Sequence, residues 1–532
     1  MPTAKRVAVI EAGQPDADSL ASLFILLGYG GLSISSYLHQ HGCEVKYFPM
    51  FASTKLDWQY IAGCDYLLIS TMVHTAKLGY RIADAVRDAK PVIIFGGPHP
   101  TCEPEDTLEH CDFVLTNEGE ESSLELMRCL ENGGRLEDVQ GLVYRNGEGK
   151  IVYTPRRAAM TQIDIRLEPQ LIHHYPGIAG NFLRTGRLRF PFPVVQFSRG
   201  CPYGCTFCLG MRQLGKLYRT RPAESVIGDL NRVHQLTGFP YGMFHDNDVA
   251  IRREETKELL RAMIRAKVPV NHLSAFTRVD STKDEELWKL FDEAGVANVF
   301  FGVESLSQSN LDEFHKGTTV DGIHAAMARL DDYKVQTKIV ASFIVGDVDD
   351  PLRELALIRE FWERYHRRLQ RVVIQPLMEY PFQQKFRGQP QLVDDEKFIH
   401  NDWDFFSGDY LVFYPKACPP SVLQKELLDT FRTVHGIPRS RPLREQYRLT
   451  QALVRYTHRT KDRNLAAYTA WLQNAERGKY DHSGALMAER LTGDVKQRSI
   501  DIGIATRKRI GIPNRVTQSR SHTVSPRNRV TA

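Results

Sequence analysis

The chain has 532 residues, of which 42% are hydrophobic and 25% charged, with a net charge of +5. That length accommodates two or three domains at roughly 150 residues each. The composition is that of a globular protein, and no apolar run approaches the ~20 residues of a membrane span. From Arg507 onward there are seven Lys and Arg residues and no acidic ones. With its Ser, Thr, Asn and Pro, the segment 505–532 reads as a solvated, disordered basic tail, and a nucleic-acid role is not expected of the chain.

The N-terminus shows no secretory pattern, since Met1-Pro-Thr-Ala-Lys-Arg runs straight into a strand-like Val7–Ile10. Nine cysteines, six of them scattered, suit a reducing compartment, so a cytoplasmic location is expected. Further strands are predicted at Val45–Phe48, Tyr66–Ser70, Val92–Phe95 and Phe113–Leu115, with helical patterns between them such as Leu32–His41 and Leu78–Ala89. Apolar strands alternating with helices imply an α/β fold, here a doubly wound, Rossmann-like parallel sheet over residues 1–145. Such sheets bind ligands at the carboxyl ends of their strands. Turn-forming residues cluster there: Gly28-Tyr-Gly-Gly31, Ser70-Thr-Met72, Gly96-Gly-Pro-His-Pro-Thr101 and Asn117-Glu-Gly-Glu120.

A linker over 146–189 follows, opening with a hairpin turn at Asn146-Gly-Glu-Gly149. From 190 to 378 the alternation returns, with strands predicted at Val194–Phe197, Tyr241–Phe244, Leu273–Phe276, Val299–Val303, Ile339–Ile344 and Val372–Gln375. Six strand–helix units predict a partial (β/α)6 barrel of TIM-like design. Residues 379–504 read as a mostly helical accessory domain.

The run Ser198-Arg-Gly-Cys-Pro-Tyr-Gly-Cys-Thr-Phe-Cys208 follows the first barrel strand, on the rim where barrels place their chemistry. Cys201, Cys205 and Cys208 together can hold three irons of a cubane iron–sulfur cluster and leave the fourth open to a small molecule. A disulfide or a zinc site is the structural alternative. The first needs an oxidising compartment, and the second needs a fourth ligand that the short spacing does not supply.

The Cys-x3-Cys-x2-Cys spacing, with an aromatic just before its last cysteine, resembles the signature of the radical S-adenosylmethionine (SAM) enzymes. The resemblance covers about 190–376. It implies a [4Fe-4S] cluster on Cys201, Cys205 and Cys208 whose open iron chelates SAM, and reductive cleavage of SAM to a 5′-deoxyadenosyl radical. Phe207 is implied beside the adenine. In Phe244-His-Asp-Asn-Asp248, Asp246 is implied near the SAM amino group. Glu304 and Ser305, in Gly302-Val-Glu-Ser305, are implied to contact SAM, with Glu304 also close to the chemistry. Gly346 ends a stretch that packs on adenine. Arg278, and after it Arg219 and Arg221, are candidates for the SAM carboxylate; the alternative for each is a rim charge that only pairs with a neighbouring charge.

The ordered glycine and hydroxyl motifs ahead of the cysteines resemble the cobalamin-binding domain fused to many radical SAM enzymes. That resemblance covers roughly 5–140. It implies cobalamin contacts at Gly28, Gly31, Ser70, Thr71, Gly96, Gly97, His99, Thr101, Glu118 and Gly119. Many such domains carry Asp-x-His-x-x-Gly after the first strand. Here the strand ends Ile10-Glu-Ala-Gly-Gln-Pro-Asp16, so the cofactor is expected with its base detached and without histidine ligation.

Together the two resemblances imply a cobalamin-dependent radical SAM methyltransferase. It would pass a methyl group from SAM through methylcobalamin to an unactivated carbon of a small-molecule substrate. An electron donor such as flavodoxin or ferredoxin is implied as partner. A non-methylating rearrangement or oxidative cyclisation uses the same cofactors, and a cobalamin or redox sensor is the non-catalytic alternative. Tyr380, Phe382, Phe405, Phe406 and Tyr410 are expected near the substrate pocket, and Cys418 is either a structural cysteine or a thiol that donates a hydrogen atom.

Overall fold

In the computed structural model, the described residues are 4–12, 24–26, 28–49, 56–173, 190–192, 194–238, 240–270, 272–346, 350–377, 410–413, 415, 417–435, 462 and 465–473. The basic tail, Tyr380, Phe382, Phe405 and Phe406 lie outside them.

The first sheet has seven strands: β1 (Arg6–Ala12), β2 (Glu44–Pro49), β3 (Tyr66–Thr71), β4 (Val92–Gly96), β5 (Phe113–Leu115), β6 (Leu142–Arg145) and β7 (Ile151–Tyr153). Their order is β2-β1-β3-β4-β5-β6-β7, with the first five parallel and the last two an antiparallel hairpin. The central strands are apolar on both faces because helices cover both: Val7, Ala8, Val9 and Ile10 are all buried. The hairpin carries the sheet to Tyr153, past the boundary at 145 that the sequence suggests. Strand order reverses between β1 and β3, so a crevice opens outside their carboxyl ends. Glu11, Ser70 and Gly96 stand side by side there in register.

The second sheet also matches expectation: β8 (Val194–Val195), β9 (Tyr241–Phe244), β10 (His272–Thr277), β11 (Val296–Glu304), β12 (Lys338–Val345) and β13 (Leu369–Pro376) lie in chain order. All are parallel, with helices such as Ala223–Thr237, Arg253–Ala266 and Glu285–Glu293 returning the chain. The first strand is shorter than expected, because Ser198–Arg199 leaves the barrel to pair antiparallel with Arg219–Thr220. That detour turns the cysteine loop over the barrel mouth.

The linker acts as a buttress between the two sheets. Met160, Ile163 and Ile165 form a small buried cluster against Tyr37. Ser36 accepts from the Glu168 backbone at 2.9 Å on one side, and Asp229 accepts from Leu167 at 3.0 Å on the other. A short parallel pair also joins Phe24–Leu26 to Phe190–Phe192. Beyond the barrel, helix Pro420–His435 packs on helix Pro351–Tyr365 and on β13. Among the described residues no helix is long and apolar enough to cross a membrane.

Candidate active site

The cysteine loop is fixed at its entrance by Gly200. Its backbone is left-handed (φ +87°), and a Cβ there would collide with the Leu217 carbonyl, so glycine is required. None of Cys201, Cys205 and Cys208 is in a disulfide, and all three are half-buried. Burial pushes the Cys201 thiol up to about 11, so metal or a cationic neighbour must supply the driving force for ionisation. Among the described residues no three His, Cys, Asp or Glu side chains converge as ligands of a single ion. Three thiols carried by one short loop fit the separate corners of an iron–sulfur cube.

Side chains from β10, β11 and the turn after them surround this loop. Thr206 donates its backbone N–H to the Phe314 carbonyl at 3.1 Å, and the Phe207 ring meets Phe314 edge-on at 5.3 Å. Glu304 sits at a bulge in β11 with a left-handed backbone (φ +69°). A non-glycine residue held there is strained, which is how chains aim functional groups. Its carboxylate is buried against Lys316 Nζ at 2.7 Å, and that ammonium lies 5.8 Å from the centre of the Phe207 ring. Phe207, Glu304, Arg278 and the three cysteines are thus brought together. Lys316 belongs with them and went unrecognised in the sequence; its spacing of twelve residues from Glu304 follows no helical or strand period.

Other expected contacts differ from the sequence reading. Asp246 is buried and turned back toward the cysteine loop. It accepts from the Phe197 backbone at 3.2 Å and from both the backbone and hydroxyl of Ser198. Burial pushes its carboxyl up to about 7, against the pull of those donors. Asp248, not singled out earlier, lines a cavity of about 350 Å³ with Tyr203, Thr277, Arg278 and Asp280. Ser305 is fully buried and donates to Glu354 at 2.7 Å, so it braces helix Pro351–Tyr365. Gly346 leaves room for Leu377, whose atoms would stand 3.0 Å from a Cβ there.

The raised carboxyl of Asp246 has a testable consequence. A group with an elevated folded pKa stabilises the fold below its unfolded value and loses that contribution as pH rises through the folded one. For Asp246 the window runs from its ordinary 3.8 to about 7. Asp246→Asn is therefore expected to flatten the decline in stability between those pH values, measured by denaturant unfolding. An unchanged slope would remove Asp246 as its source.

In the first domain, Gly97 (φ +99°) packs so tightly that a Cβ would stand 2.8 Å from Ser70 Oγ and 3.0 Å from the Thr71 carbonyl. Next to them Met72 is 47% exposed at the carboxyl end of β3. A flat glycine pair beside an exposed apolar side chain fits a large planar ligand. Gly28 and Gly31 have a different cause from the one expected. A Cβ on either would run into the Glu11 carboxylate, which accepts from the Gly31 backbone at 3.1 Å and from Tyr47 Oη at 2.8 Å. Burial pushes that carboxyl up. Gly119 likewise makes room for Ile34. His99 is fully buried and bonded to Tyr80 Oη at 2.7 Å, and Thr101 accepts from the Asn117 backbone at 3.0 Å. Both brace the loops from behind.

Glu118 points away from the crevice and into the second domain. It meets Arg199 at 3.2 Å, Arg219 at 2.8 Å and the Met160 backbone at 2.8 Å. Arg199 also reaches Glu120 at 2.6 Å and Gln196 at 2.6 Å. Burial alone would raise the Glu120 carboxyl, but the Arg199 charge and its hydrogen bond hold it below the usual range. Arg221 is committed to Asp229 at 2.7 Å and Asp164 at 3.1 Å. Arg219 and Arg221 are therefore structural, and Arg199 bolts the cysteine loop to the first domain.

Comparison with known proteins agrees with this division. Residues 25–127 match the family model for the B12 binding domain, and residues 195–359 match that for the radical SAM superfamily. An uncharacterized methyltransferase of Pyrococcus horikoshii is 29% identical over 279 residues, covering 51% of this chain and 57% of its own. An anaerobic magnesium-protoporphyrin IX monomethyl ester cyclase of Rubrivivax gelatinosus is 29% identical over 297 residues, covering 54% and 51%. The hopanoid C-3 methylase of Methylococcus capsulatus is 29% identical over 232 residues, covering 42% and 41%. The chain thus spans about half the length of these relatives. The fold is shared with the radical SAM methyltransferase TsrM of Kitasatospora setae, solved with tryptophan and a SAM analogue (TM-score 0.59, 13% identity, 82% of this chain and 90% of that one). It is shared equally with the cobalamin-dependent radical enzyme OxsB, solved with aqua-cobalamin and SAM (TM-score 0.58, 16% identity, 97% and 82%). The chain thus carries a B12-binding domain followed by a radical SAM superfamily domain, joined in this order on one fold.

Proposed function

We propose that this protein is a cobalamin-dependent radical SAM C-methyltransferase acting on a small molecule. The observation that carries the reading is the Glu118–Arg199 contact. It ties the loop after β5, on the rim of the first sheet's crevice, to a residue two positions before Cys201. A ligand over the first sheet and a cluster on the cysteine loop would then share one enclosed space, as relay of a methyl group requires.

Cobalamin, SAM and a [4Fe-4S] cluster, when bound, would supply methyl relay and radical generation. The chain's own part is to hold and orient. Cys201, Cys205 and Cys208 would bind the cluster. Phe207, Glu304 and Lys316 would line the SAM side, with Glu304 accepting hydrogen bonds from hydroxyl groups. Ser70, Met72, Gly96 and Gly97 would form the corrin floor. Glu118, Arg199 and Arg219 would keep the two halves in register.

The similarity to an oxidative cyclase, at the same identity as to the methyltransferases, supports a second reading with no methyl transfer. One experiment separates them. Anaerobically reconstituted protein is incubated with hydroxocobalamin, SAM and a strong reductant. Methylation of the corrinoid with matching S-adenosylhomocysteine is the expected result. Deoxyadenosine produced without corrinoid methylation would favour cyclisation or rearrangement, and neither product would favour a sensor.

A further inference from the structure

The sequence offers Arg278 as a carboxylate ligand of SAM, but its guanidinium is already engaged on every side. Nε donates to Asp280 Oδ1 at 3.3 Å, Nη2 donates to the Lys316 carbonyl, and the plane stacks 4.0 Å from the centre of the Tyr203 ring. The remaining group, Nη1, points at Cys205 Sγ from 3.8 Å. The acceptor side is equally fixed. Lys316 lies between His315 (φ +50°) and Gly317 (φ +66°), two left-handed residues, and its ammonium is held by Glu304. The side chain of Arg278 is only 11% exposed. Such a group is held for one purpose, and a planar cation held beside a thiolate raises the affinity of that thiolate's cluster for an electron.

We propose that Arg278 is a positioning residue of the cluster: held by Asp280, Tyr203 and the Lys316 carbonyl, it sets the reduction potential through Cys205. The inference rests on the reading that Cys201, Cys205 and Cys208 bind a cluster. It assigns Arg278 to the iron side of the site and leaves the SAM carboxylate to other groups.

The test is a potentiometric titration of the full, anaerobically reconstituted chain, followed by electron paramagnetic resonance without SAM. Arg278→Gln is expected to weaken cluster reduction about tenfold, a downward shift of about 59 mV for one electron. Arg278→Lys keeps the charge and loses the fork, so it should fall between. SAM affinity, measured separately, should change far less. An unchanged potential with SAM binding weakened tenfold would overturn the proposal and restore Arg278 as a carboxylate ligand. If Arg278→Gln fails to assemble a cluster, Asp280→Asn decides. Removing the competing anion should raise the potential, and no rise would sink the idea. Wild-type protein that takes up no cluster would instead refute the functional reading beneath it.

Discussion

Replacement of Cys201, Cys205 or Cys208 by alanine, one at a time, is expected to abolish both cluster assembly and deoxyadenosine production. The three thiols share one short loop whose entrance is fixed by Gly200 and whose far side is tied to Phe314. No other cysteine is on that loop, so none can substitute. Iron and sulfide content and the visible absorbance of the reconstituted protein measure the first loss, and product analysis the second. Cys418→Ala, outside the loop, should retain both. Full iron content in any of the three loop variants would place the cluster elsewhere and remove the basis of the functional reading.

The sequence yields the parts of this protein whose cause is local. Strands such as Val7–Ile10 are apolar throughout because both faces are covered, so they read without ambiguity. The cysteine loop reads because three ligands of one group lie within eight residues. Glycine motifs read only halfway. At Gly96 no protein atom crowds the Cβ position, where a ligand would lie, whereas Gly28 and Gly31 are small because Glu11 fills their Cβ space, and Gly97 because Ser70 and Thr71 fill its own. Both causes leave the same letter in the sequence. Charges misled for a related reason. Glu118, Asp246, Arg219, Arg221 and Arg278 stand at strand ends, where ligands bind, yet each is spent on a partner far away in sequence. Glu118 and Arg199 are 81 residues apart, and no local pattern can encode that pairing. Arg199 did carry a signal: a charge two residues ahead of a ligand cysteine, at the end of a strand run that opens Val194-Val195, has to be paired.

That bolt leads to the second large effect. Arg199 and Glu118 are nearly inaccessible, at 4% and 7% side-chain exposure. Removing one member of such a pair leaves the other charged in a poor solvent, which costs about 3–5 kcal/mol. Glu118→Ala is expected to fall in that range because it removes the carboxylate that Arg219 pairs with and leaves Arg199 only Glu120, and Glu118→Gln should cost less. Denaturant unfolding of the cofactor-free chain measures this. Arg199→Met adds a test by pH. In the wild type Glu120 is held below its ordinary 4.5, so its contribution is full above that pH and is lost as pH falls through the depressed value. Without Arg199, burial is opposed only by the Ser33 hydroxyl, which donates at 2.7 Å, and by a backbone hydrogen bond, so the carboxyl moves up and its contribution on the acid side shrinks. The acid limb of stability should therefore be shallower in Arg199→Met. If the slope is unchanged, or if Glu118→Ala and Arg199→Met add without interaction in a double-mutant cycle, the pair is not a bolt. The two domains would then be held by the linker buttress and the Phe24–Leu26 strand pair.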